Sequence, residues 1–336
     1  MRETYFTQAI AEALSQEMEL DESVIVLGED VVVGVIGGTK GLFERFGPDR
    51  VRNTPITEQV LVGAAVGAAA CGLRPVVDMM FSSFMYLAMD QLGNQAARLR
   101  YMSGGQFQIP AVFMAGSGPG GSLAAQHSES PHAALMHLSG LKVVYPSTPY
   151  DAKGLMAASV RDVNPVAYFI DLSLAGQKGP VPEDRYEVPL GSAEVKRDGT
   201  DLTIVAIGPL VPMALDLARE FESYGHSVEV VDPRTLVPLD WPTISRSIRK
   251  TGRLVVADHA RRTCGAAAEI LSRAAELEWG SLRQAPSRVT WEDVPVPFSP
   301  VLEEAMVVTP AKLRAAALVA LGIEDWSRVP LAATQM

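Results

Sequence analysis

The stretch TPITEQVLVGAAVGAAA, Thr54 to Ala70, combines a helix start with a helix of unusually small side chains. Pro55 fixes one backbone angle and favours an extended residue before it, and Thr57 is of a type common at helix N-caps. Glu58 then falls in the first helical turn, where the helix dipole favours a carboxylate. The small residues from Gly63 onward predict close packing against a neighbour. Position alone leaves two interpretations of Glu58, an acid that serves the dipole or an acid held at a site.

Composition and charge narrow the class of protein. The chain has 336 residues, of which 48% are hydrophobic and 20% charged, which suggests about two globular domains. Its formal net charge of −10 argues against a nucleic-acid partner. Cys71 and Cys264 lie far apart in sequence, which favours a reducing compartment over a disulfide framework. The longest apolar run, Leu61 to Leu73, is too short to cross a bilayer, so we expect a cytoplasmic protein with no membrane segment.

Short apolar strands alternate with helices through the first half of the chain. This alternation predicts a largely parallel sheet covered by helices on both faces. The predicted strands are Val24–Leu27, Pro75–Phe81, Ile109–Ala115, Leu141–Tyr145 and Val166–Ile170. The predicted helices include one over Phe6 to Met18, one from about Met85 to Met102 and one that begins near Tyr150.

A stretch rich in proline, glycine and charge, Gly176 to Asp201, interrupts this pattern and predicts a linker. The alternation then restarts with strands at Leu202–Ile207, Val228–Val231 and Leu254–Ala257, each followed by a helix. The sequence therefore predicts a first domain over residues 1–185, a linker over 186–200 and a smaller α/β domain over 201–336.

A glycine-rich loop leads to the histidine of greatest interest. Gly116, Gly118 and Gly121 match the dinucleotide pattern G-x-G-x-x-G, but Pro119 interrupts the turn and no well-placed acid follows. A nicotinamide dehydrogenase is therefore our third hypothesis. The loop nevertheless provides flexible backbone ahead of His127 at the carboxyl end of a predicted strand, where α/β sheets bind ligands.

The remaining chemistry-bearing residues point to a cofactor. His127, His132 and His137 would be turned by roughly 140° per step on a helix, so they predict no zinc site. No serine, cysteine or lysine occurs in a nucleophile motif. Glu29 follows the first strand at the ligand-binding end, while Asp30 fits a solvated turn equally well. An acid and a histidine without a protein nucleophile indicate that a cofactor performs the covalent step.

The sequence resembles the beta chain of the thiamine diphosphate-dependent 2-oxoacid dehydrogenases, the decarboxylating component of the pyruvate, branched-chain 2-oxoacid and acetoin dehydrogenase complexes. The likeness covers nearly the whole chain. The stretches that carry it, in order, are Gly28–Asp30, Thr39–Leu42, Asn53–Glu58, Gly63–Ala68, Gly72–Pro75, Tyr101–Gly105, Ala124–Ser128, Pro146–Leu155, Asp232–Leu236 and Pro238–Asp240.

The resemblance implies a fold and a site. The fold would be a transketolase-like pyrimidine-binding domain with a parallel sheet, followed by a smaller transketolase C-terminal domain. Glu58 would bond the ring nitrogen of the cofactor's aminopyrimidine, and His127 would handle protons and orient the adduct or a lipoyl group. The further cofactor contacts that the resemblance implies are Met80, Phe84, Glu29 and Tyr101.

The resemblance also implies metals and partners. Asp162 and Asn164, with main-chain carbonyls near Ile109 and Ala111, resemble a structural potassium site, although an acid and an amide before Pro165 could equally cap a turn. The sequence contains no Gly-Asp-Gly, the motif that holds magnesium and the diphosphate in this class. That half of the site would belong to an alpha chain in a heterotetramer of two alpha and two beta chains. A lipoyl-bearing acyltransferase or carrier protein would take the product.

Four positions depart from the family pattern and leave the substrate open. Ile170 replaces a glutamate, Ala175 replaces a tyrosine, and Asp258 and His259 fall in a region that is usually acidic and glycine-rich. The leading hypothesis is decarboxylation of a pyruvate-like 2-oxoacid with acyl transfer to lipoyl. The alternatives are transfer of a two-carbon ketol unit from a ketose phosphate to a lipoylated carrier, and a non-catalytic subunit that docks a carrier protein.

Overall fold

Parallel strands form the centre of each of two units in a computed structural model that describes residues 1–323. The first unit comprises Met1–Ser192, Arg234–Asp240 and Asp293–Met306. The second comprises, among the described residues, Ala193–Pro233, Trp241–Glu292 and Val307–Ile323. Within the described residues, none of the helices is both long and apolar enough to cross a membrane.

Residues 1–323 form fourteen strands; the eight predicted ones are all present, and the other six, which are short or lie at sheet edges or in the second unit, were not predicted. The fourteen strands are β1 (Arg2–Tyr5), β2 (Val24–Gly28), β3 (Val51–Asn53), β4 (Arg74–Phe81), β5 (Val112–Ser117), β6 (Lys142–Val144), β7 (Val166–Asp171), β8 (Lys178–Val181), β9 (Glu194–Arg197), β10 (Leu202–Ala206), β11 (Val228–Asp232), β12 (Thr235–Val237), β13 (Leu254–Arg261) and β14 (Ser287–Trp291). The α-helices are α1 (Phe6–Leu20), α2 (Leu42–Phe46), α3 (Glu58–Ala70), α4 (Leu99–Met102), α5 (Ala124–His127), α6 (His132–Met136), α7 (Pro149–Arg161), α8 (Leu210–Glu222), α9 (Trp241–Thr251), α10 (Ala266–Leu277), α11 (Pro300–Met306) and α12 (Pro310–Leu321).

The sheet of the first unit has the strand order β12-β6-β7-β5-β4-β2-β3. All of its strands run parallel except β12, which pairs antiparallel with β6 at one edge. The second unit has the order β14-β13-β10-β11-β9, with β9 as an antiparallel edge strand. Every residue of β5 and β7 is buried, as expected of strands covered on both faces. The predicted α/β architecture is therefore confirmed.

Helix α1 shows how the predicted periodicity becomes a core. Phe6, Ile10, Leu14 and Met18 recur every four residues and are at most 2% exposed. Burial of each such side chain stabilises the fold by about 1.5–3 kcal/mol relative to exposure. The helix packs against α7, whose first turn is capped by Thr148 through a bond from the Asp151 amide at 3.1 Å.

The helix predicted from Met85 to Met102 is wrong as a single element. The chain instead forms a 3₁₀ helix over Ser82–Ala88, a π-helix over Gln91–Ala96 and then α4. The amide of Ala97 bonds the carbonyl of Leu92 at 3.0 Å, five residues back, which widens the turn. Apolar periodicity near 3.6 does not distinguish these helix types, because they differ in backbone bonding rather than in which face is apolar.

The predicted linker contains regular structure. Strand β9 lies within residues 186–200 and pairs with β11, because the alternating Glu194–Arg197 segment covers an exposed sheet edge. The chain also re-enters the first unit twice, at Arg234–Asp240 and Asp293–Met306. The boundaries at 185 and 201 stay a prediction.

Two family-like stretches meet inside the first unit. The Asp151 carboxylate, on α7, lies 2.8 Å from the Arg234 guanidinium and accepts the Thr148 hydroxyl bond at 2.6 Å. Asp151 is fully buried and Arg234 is 9% exposed. The Tyr145 amide bonds the Arg234 carbonyl at 2.9 Å. This buried ion pair therefore holds the segment Arg234–Asp240, which contains β12, against helix α7 of the first unit.

Candidate active site

The candidate active-site residues lie on or just after four neighbouring strands of the first unit. Glu29 follows β2, Glu58 opens α3 after β3, Asp78 lies within β4, and His127 lies in the segment after β5. β5, β4, β2 and β3 are consecutive in the sheet and parallel. Their carboxyl ends therefore share one edge, which is where sheets of this kind bind ligands.

Close approach of β2 to β4 depends on Gly28. A Cβ atom at Gly28 would lie 2.5 Å from the Asp78 carbonyl oxygen, so a larger residue would push the strands apart. The carbonyl of Gly28 accepts the Thr54 amide at 2.9 Å, and the Asn53 side chain accepts the Val32 amide at 3.0 Å. These bonds hold the turn that carries Glu29 against the segment that leads to Glu58.

Glu58 is the first residue of α3 and is half-buried. Thr57 takes the predicted N-cap position, but its side chain makes no capping bond. The Thr57 carbonyl instead starts the helix by accepting the Leu61 amide at 2.9 Å. Glu58 therefore lies in the first turn of α3, where the partial positive charge of a helix N-terminus favours an anion.

Three carboxylates, five apolar side chains and one threonine line a recess around Glu58, which we call the acidic recess. Its residues are Glu29, Pro55, Ile56, Thr57, Glu58, Leu61, Asp78, Met79 and Phe84. Leu61, Met79 and Phe84 are the largest of these apolar side chains together with Ile56. The chemistry of the lining suits a flat aromatic ring with a basic nitrogen, because apolar side chains match the faces of such a ring and a carboxylate matches its nitrogen.

Asp78 is a residue that the sequence reasoning missed. Its side chain is 4% exposed, and one carboxylate oxygen accepts the Met80 amide at 2.9 Å. Burial raises the pKa of Asp78 to about 6, since the charged form is poorly solvated there, while the bond from Met80 acts in the opposite direction. The available signal was an acid inside the otherwise apolar strand Arg74–Phe81, since a buried carboxylate is costly and commonly has a role; the strand-end rule that selected Glu29 does not reach it.

Met80 and Phe84, both predicted cofactor contacts, lie in different places, and their contact with a cofactor stays a prediction. Phe84 lines the acidic recess, as does Glu29. Met80 is 8% exposed and is not among the lining residues; its neighbour Met79 takes that place. Met80 adopts a positive φ of 61°, which turns the chain after Asp78.

His127 lies next to the acidic recess. Its ring meets Phe81 edge to face at 4.7 Å between centroids and Phe84 at 5.4 Å. The Ser83 hydroxyl also donates to the carbonyl of Gln126. Phe81 was missed by the sequence reasoning, because no local pattern predicts a contact with a residue so far along the chain. The structure thus brings Glu29, Glu58, Phe84 and His127 together.

Tyr101 is not brought to this site. It lies on α4 and is 89% exposed. Its role as a cofactor contact stays a prediction.

The predicted potassium ligands cluster, but other groups of the protein already contact their oxygens. Lys142 bonds the Asp162 carboxylate, and Arg100 bonds the Asn164 side-chain oxygen at 2.6 Å. Burial opposes ionisation of Asp162, yet the bonds from Lys142 and the Asn164 amide outweigh it and lower its pKa. The carbonyl of Ile109 accepts the Ala111 amide at 2.9 Å, and the carbonyl of Ala111 accepts the Val166 amide at 2.9 Å. The potassium site stays a prediction.

Three of the residues that depart from the family pattern make contacts within the protein. Ile170 is fully buried in the core of the first unit. In the second unit the Asp258 carboxylate accepts the Ala267 amide at 3.1 Å, next to the start of α10. The His259 ring meets Trp291 edge to face at 4.8 Å. These contacts account for an acid and a histidine at these positions without a ligand.

The glycine loop does not form a dinucleotide site. In that fold a strand is followed by a turn and a full helix whose N-terminus faces the pyrophosphate. Here the loop after β5 leads only to α5, a single turn that ends at His127. The arrangement of parallel strands, acidic recess and adjacent histidine instead defines a transketolase-type chain.

Comparison with known proteins agrees with this class. The family model "Transketolase, pyrimidine binding domain" matches residues 3–175, and "Transketolase, C-terminal domain" matches residues 191–313. A solved structure described as a split gene transketolase, inactive beta4 tetramer, has a TM-score of 0.79 over 96% of this chain and 100% of that one. Its 24% sequence identity supports the fold alone.

Curated relatives cover almost the whole chain. The beta subunit of acetoin:2,6-dichlorophenolindophenol oxidoreductase from Cupriavidus necator is 45% identical over 92% of this chain and 95% of its own length. The beta subunit of the pyruvate dehydrogenase E1 component from Bacillus subtilis is 41% identical over 89% of this chain and 93% of its own length. The beta subunit of 2-oxoisovalerate dehydrogenase from the same organism is 39% identical over 93% of this chain and 96% of its own length. The chain belongs to the family of beta subunits of thiamine diphosphate-dependent 2-oxoacid dehydrogenases.

Proposed function

We propose that this chain supplies the pyrimidine-binding half of an active site that decarboxylates a small, pyruvate-like 2-oxoacid and transfers the acyl unit to a lipoyl group. The observation that carries the proposal is the acidic recess, in which Glu58 faces apolar walls and Phe84 links the recess to His127. When bound, thiamine diphosphate supplies the carbanion stabilisation that amino-acid side chains lack.

The side chains of the site would have three separate roles around that cofactor. Glu58 would hold a proton at the pyrimidine ring nitrogen, because a charge-assisted bond is strong where water is excluded. Leu61, Met79 and Phe84 would keep water from the ring. His127, half-buried beside Phe84, would exchange a proton with the acyl acceptor, since an imidazole ring has nitrogens that can donate or accept one.

An alpha subunit would complete the site with magnesium and the diphosphate half. The absence of Gly-Asp-Gly from the sequence supports this division. The outer face of α3 and the segment before it also support a partner, since Ile56 is 71% exposed and Val60 is 64% exposed. Large apolar side chains that are exposed together commonly mark such interfaces. A lipoyl-bearing acyltransferase or carrier protein would receive the acyl unit.

The proposal includes a cytoplasmic location. Cys71 and Cys264 are free, which is consistent with a reducing compartment.

The proposal also includes a structural potassium ion. Its test is the Tm of the reconstituted alpha–beta pair, measured in potassium chloride and in sodium chloride at equal concentration. An equal Tm in both salts would contradict a potassium site.

Acetoin is the second candidate substrate. Two relatives named for acetoin oxidoreduction are 45% and 42% identical to this chain. Both candidates need a bond beside a carbonyl carbon to be cleaved, so the same site chemistry serves either. The substrates are distinguished by measuring carbon dioxide release from pyruvate and dye reduction with acetoin in the reconstituted alpha–beta pair.

The decisive experiment for Glu58 is Glu58→Gln in that reconstituted pair. We expect turnover with an artificial electron acceptor to fall by about 10²–10⁴-fold, the range typical of a lost proton-transfer group, while the pair still assembles. Glu44→Gln is the matched control, because Glu44 is an exposed acid in the first turn of α2. Normal turnover by Glu58→Gln would contradict the proposal.

The two remaining alternatives give different results in the same preparation. A non-catalytic docking subunit predicts no binding of thiamine diphosphate to the reconstituted pair by calorimetry. Ketol transfer predicts consumption of a ketose phosphate without release of carbon dioxide.

A further inference from the structure

The loop that carries His127 is closed at its base. The Gly118 amide bonds the Glu129 carbonyl at 3.0 Å, and the Ser117 and Ser130 hydroxyls lie 2.9 Å apart. The Ser82 hydroxyl bonds the same Glu129 carbonyl at 2.8 Å. The two ends of the loop, which we call the histidine loop (residues 118–129), are therefore fixed against β5 and the 3₁₀ helix.

The middle of the histidine loop has an unfavourable backbone conformation. Gly120 has a φ of 121°, and the non-glycine residues Ser122 and Ala124 have φ values of 51° and 61°. Such positive φ angles persist only where neighbouring contacts hold them. Gly120 and Leu123 are exposed, so core packing does not hold this part of the loop.

Glu303 supplies the missing contact. It lies on α11, within the first unit, and is 6% exposed although it is an acid. One carboxylate oxygen accepts the Gly120 amide at 3.0 Å and the other accepts the Ser122 amide at 3.3 Å. Bonds to a carboxylate are stronger than bonds to a neutral acceptor, so one buried side chain holds Gly120 and the strained Ser122 together.

The strained residues determine where His127 lies. Helix α5 begins at Ala124, directly after the Ser122–Leu123 pair, and ends at His127. Because α5 is a single turn, the chain that enters it determines its direction. A change at Ser122 therefore moves the turn on which the His127 ring packs against Phe81 and Phe84.

We propose that Glu303 is a positioning residue for acyl transfer, which acts by holding the histidine loop so that His127 stays beside the acidic recess. This inference rests on the proposed function for the role of His127. It assigns no contact of Glu303 with substrate or cofactor.

The test compares Glu303→Ala and Glu303→Gln with Glu304→Gln in the reconstituted alpha–beta enzyme. Glu304 is the exposed neighbour on the same helix and serves as the matched control. We expect Glu303→Ala to lower transfer to a lipoylated carrier domain by at least about tenfold, because it removes two bonds to a charged group, with a smaller loss in the first step measured with an artificial electron acceptor. Glu303→Gln keeps one acceptor oxygen, so we expect an intermediate loss.

A double-mutant cycle separates positioning from general destabilisation. In a His127→Ala background, Glu303→Ala should cause little further loss of transfer, because the residue it positions is gone. Losses that multiply, or equal losses in both steps, would overturn the proposal.

Hydrogen exchange gives a readout that does not depend on the reaction. Amides of residues 118–128 should exchange faster in Glu303→Ala than in the wild type and in Glu304→Gln. Unchanged exchange would overturn the inference even if the enzyme is active. If the wild-type pair transfers no acyl group to lipoyl, the proposed function fails, while faster exchange would still establish that Glu303 holds the loop.

Discussion

The ring of Phe84 meets the ring of His127 edge to face at 5.4 Å between centroids, and the same Phe84 lines the recess that contains Glu58. One aromatic side chain therefore contacts the histidine and also lines the recess that contains Glu58. Phe81 meets Phe84 at 5.7 Å between centroids, which completes a cluster of three rings. This cluster joins His127 to the acidic recess through apolar contacts.

Replacement of Phe84 tests whether this side chain contributes to the cofactor site. Each aromatic pair contributes about 0.5–1.5 kcal/mol beyond area burial, and Phe84→Leu removes two pairs. We expect the concentration of thiamine diphosphate needed for half-maximal activity to rise about tenfold, and transfer to lipoyl to fall as well. Tyr86→Leu is the control, since Tyr86 is 47% exposed in the same 3₁₀ helix. An unchanged cofactor requirement would mean that Phe84 does not contact the cofactor.

Replacement of His127 separates the two halves of the reaction. We expect His127→Ala to reduce transfer to the lipoyl group by about 10²-fold, within the range for a lost proton-transfer group, with a smaller effect on decarboxylation. The two steps are measured with a lipoylated carrier domain and with an artificial electron acceptor. His137→Ala is the control, because His137 is exposed. Equal activity in both steps would refute the proposed role of His127.

Asp78 should make stability depend on pH in a direction opposite to that of most acids. Its pKa is raised from an ordinary 3.8 to about 6, so the folded chain binds more protons than the unfolded chain between these values. The stabilisation from its protonated form is fully present below pH 3.8 and is lost as the pH rises through about 6. Asp78→Asn keeps an acceptor for the Met80 amide but cannot ionise.

The stability of Asp78→Asn relative to the wild type should therefore increase with pH. From pH 5 to pH 7.5 we expect the difference in unfolding free energy to grow by about 1 kcal/mol in favour of the variant. Urea denaturation of both chains at several pH values measures it, and all other titrating groups cancel in the comparison. A difference that is constant with pH would contradict the raised pKa of Asp78.

The ion pair between Asp151 and Arg234 should matter for stability more than any surface pair. Asp151→Asn removes the negative charge 2.8 Å from a largely buried guanidinium, and we expect a loss of about 3–5 kcal/mol in unfolding free energy. Asp198→Asn is the control, since Asp198 is 93% exposed and its bridge to Lys250 is 3.5 Å long. Pairs of that kind contribute about 0–1 kcal/mol. Equal denaturation midpoints for the two variants would contradict this assignment.

Much of the fold follows from local pattern. Both faces of a central strand are covered, so runs such as Val166–Asp171 are largely apolar. Such a run can be recognised from the residue types alone. The start of α3 at Glu58 was predictable for the same reason, because helix starts depend on a few neighbouring residues. The broken helix after β4 was not predictable, since its turns differ in backbone bonding while the apolar pattern is unchanged.

The sequence by itself determined which residue types stand at strand ends, and hence Glu29, Glu58 and His127 as candidates. Only the tertiary structure placed Asp78 and Phe84 in one recess with Glu58, and brought Glu303 onto the loop before His127. The physical reason is the range of the interactions. Helix starts and apolar runs are local properties of the chain, whereas burial and hydrogen bonding between residues about 180 positions apart exist only after the strands have packed.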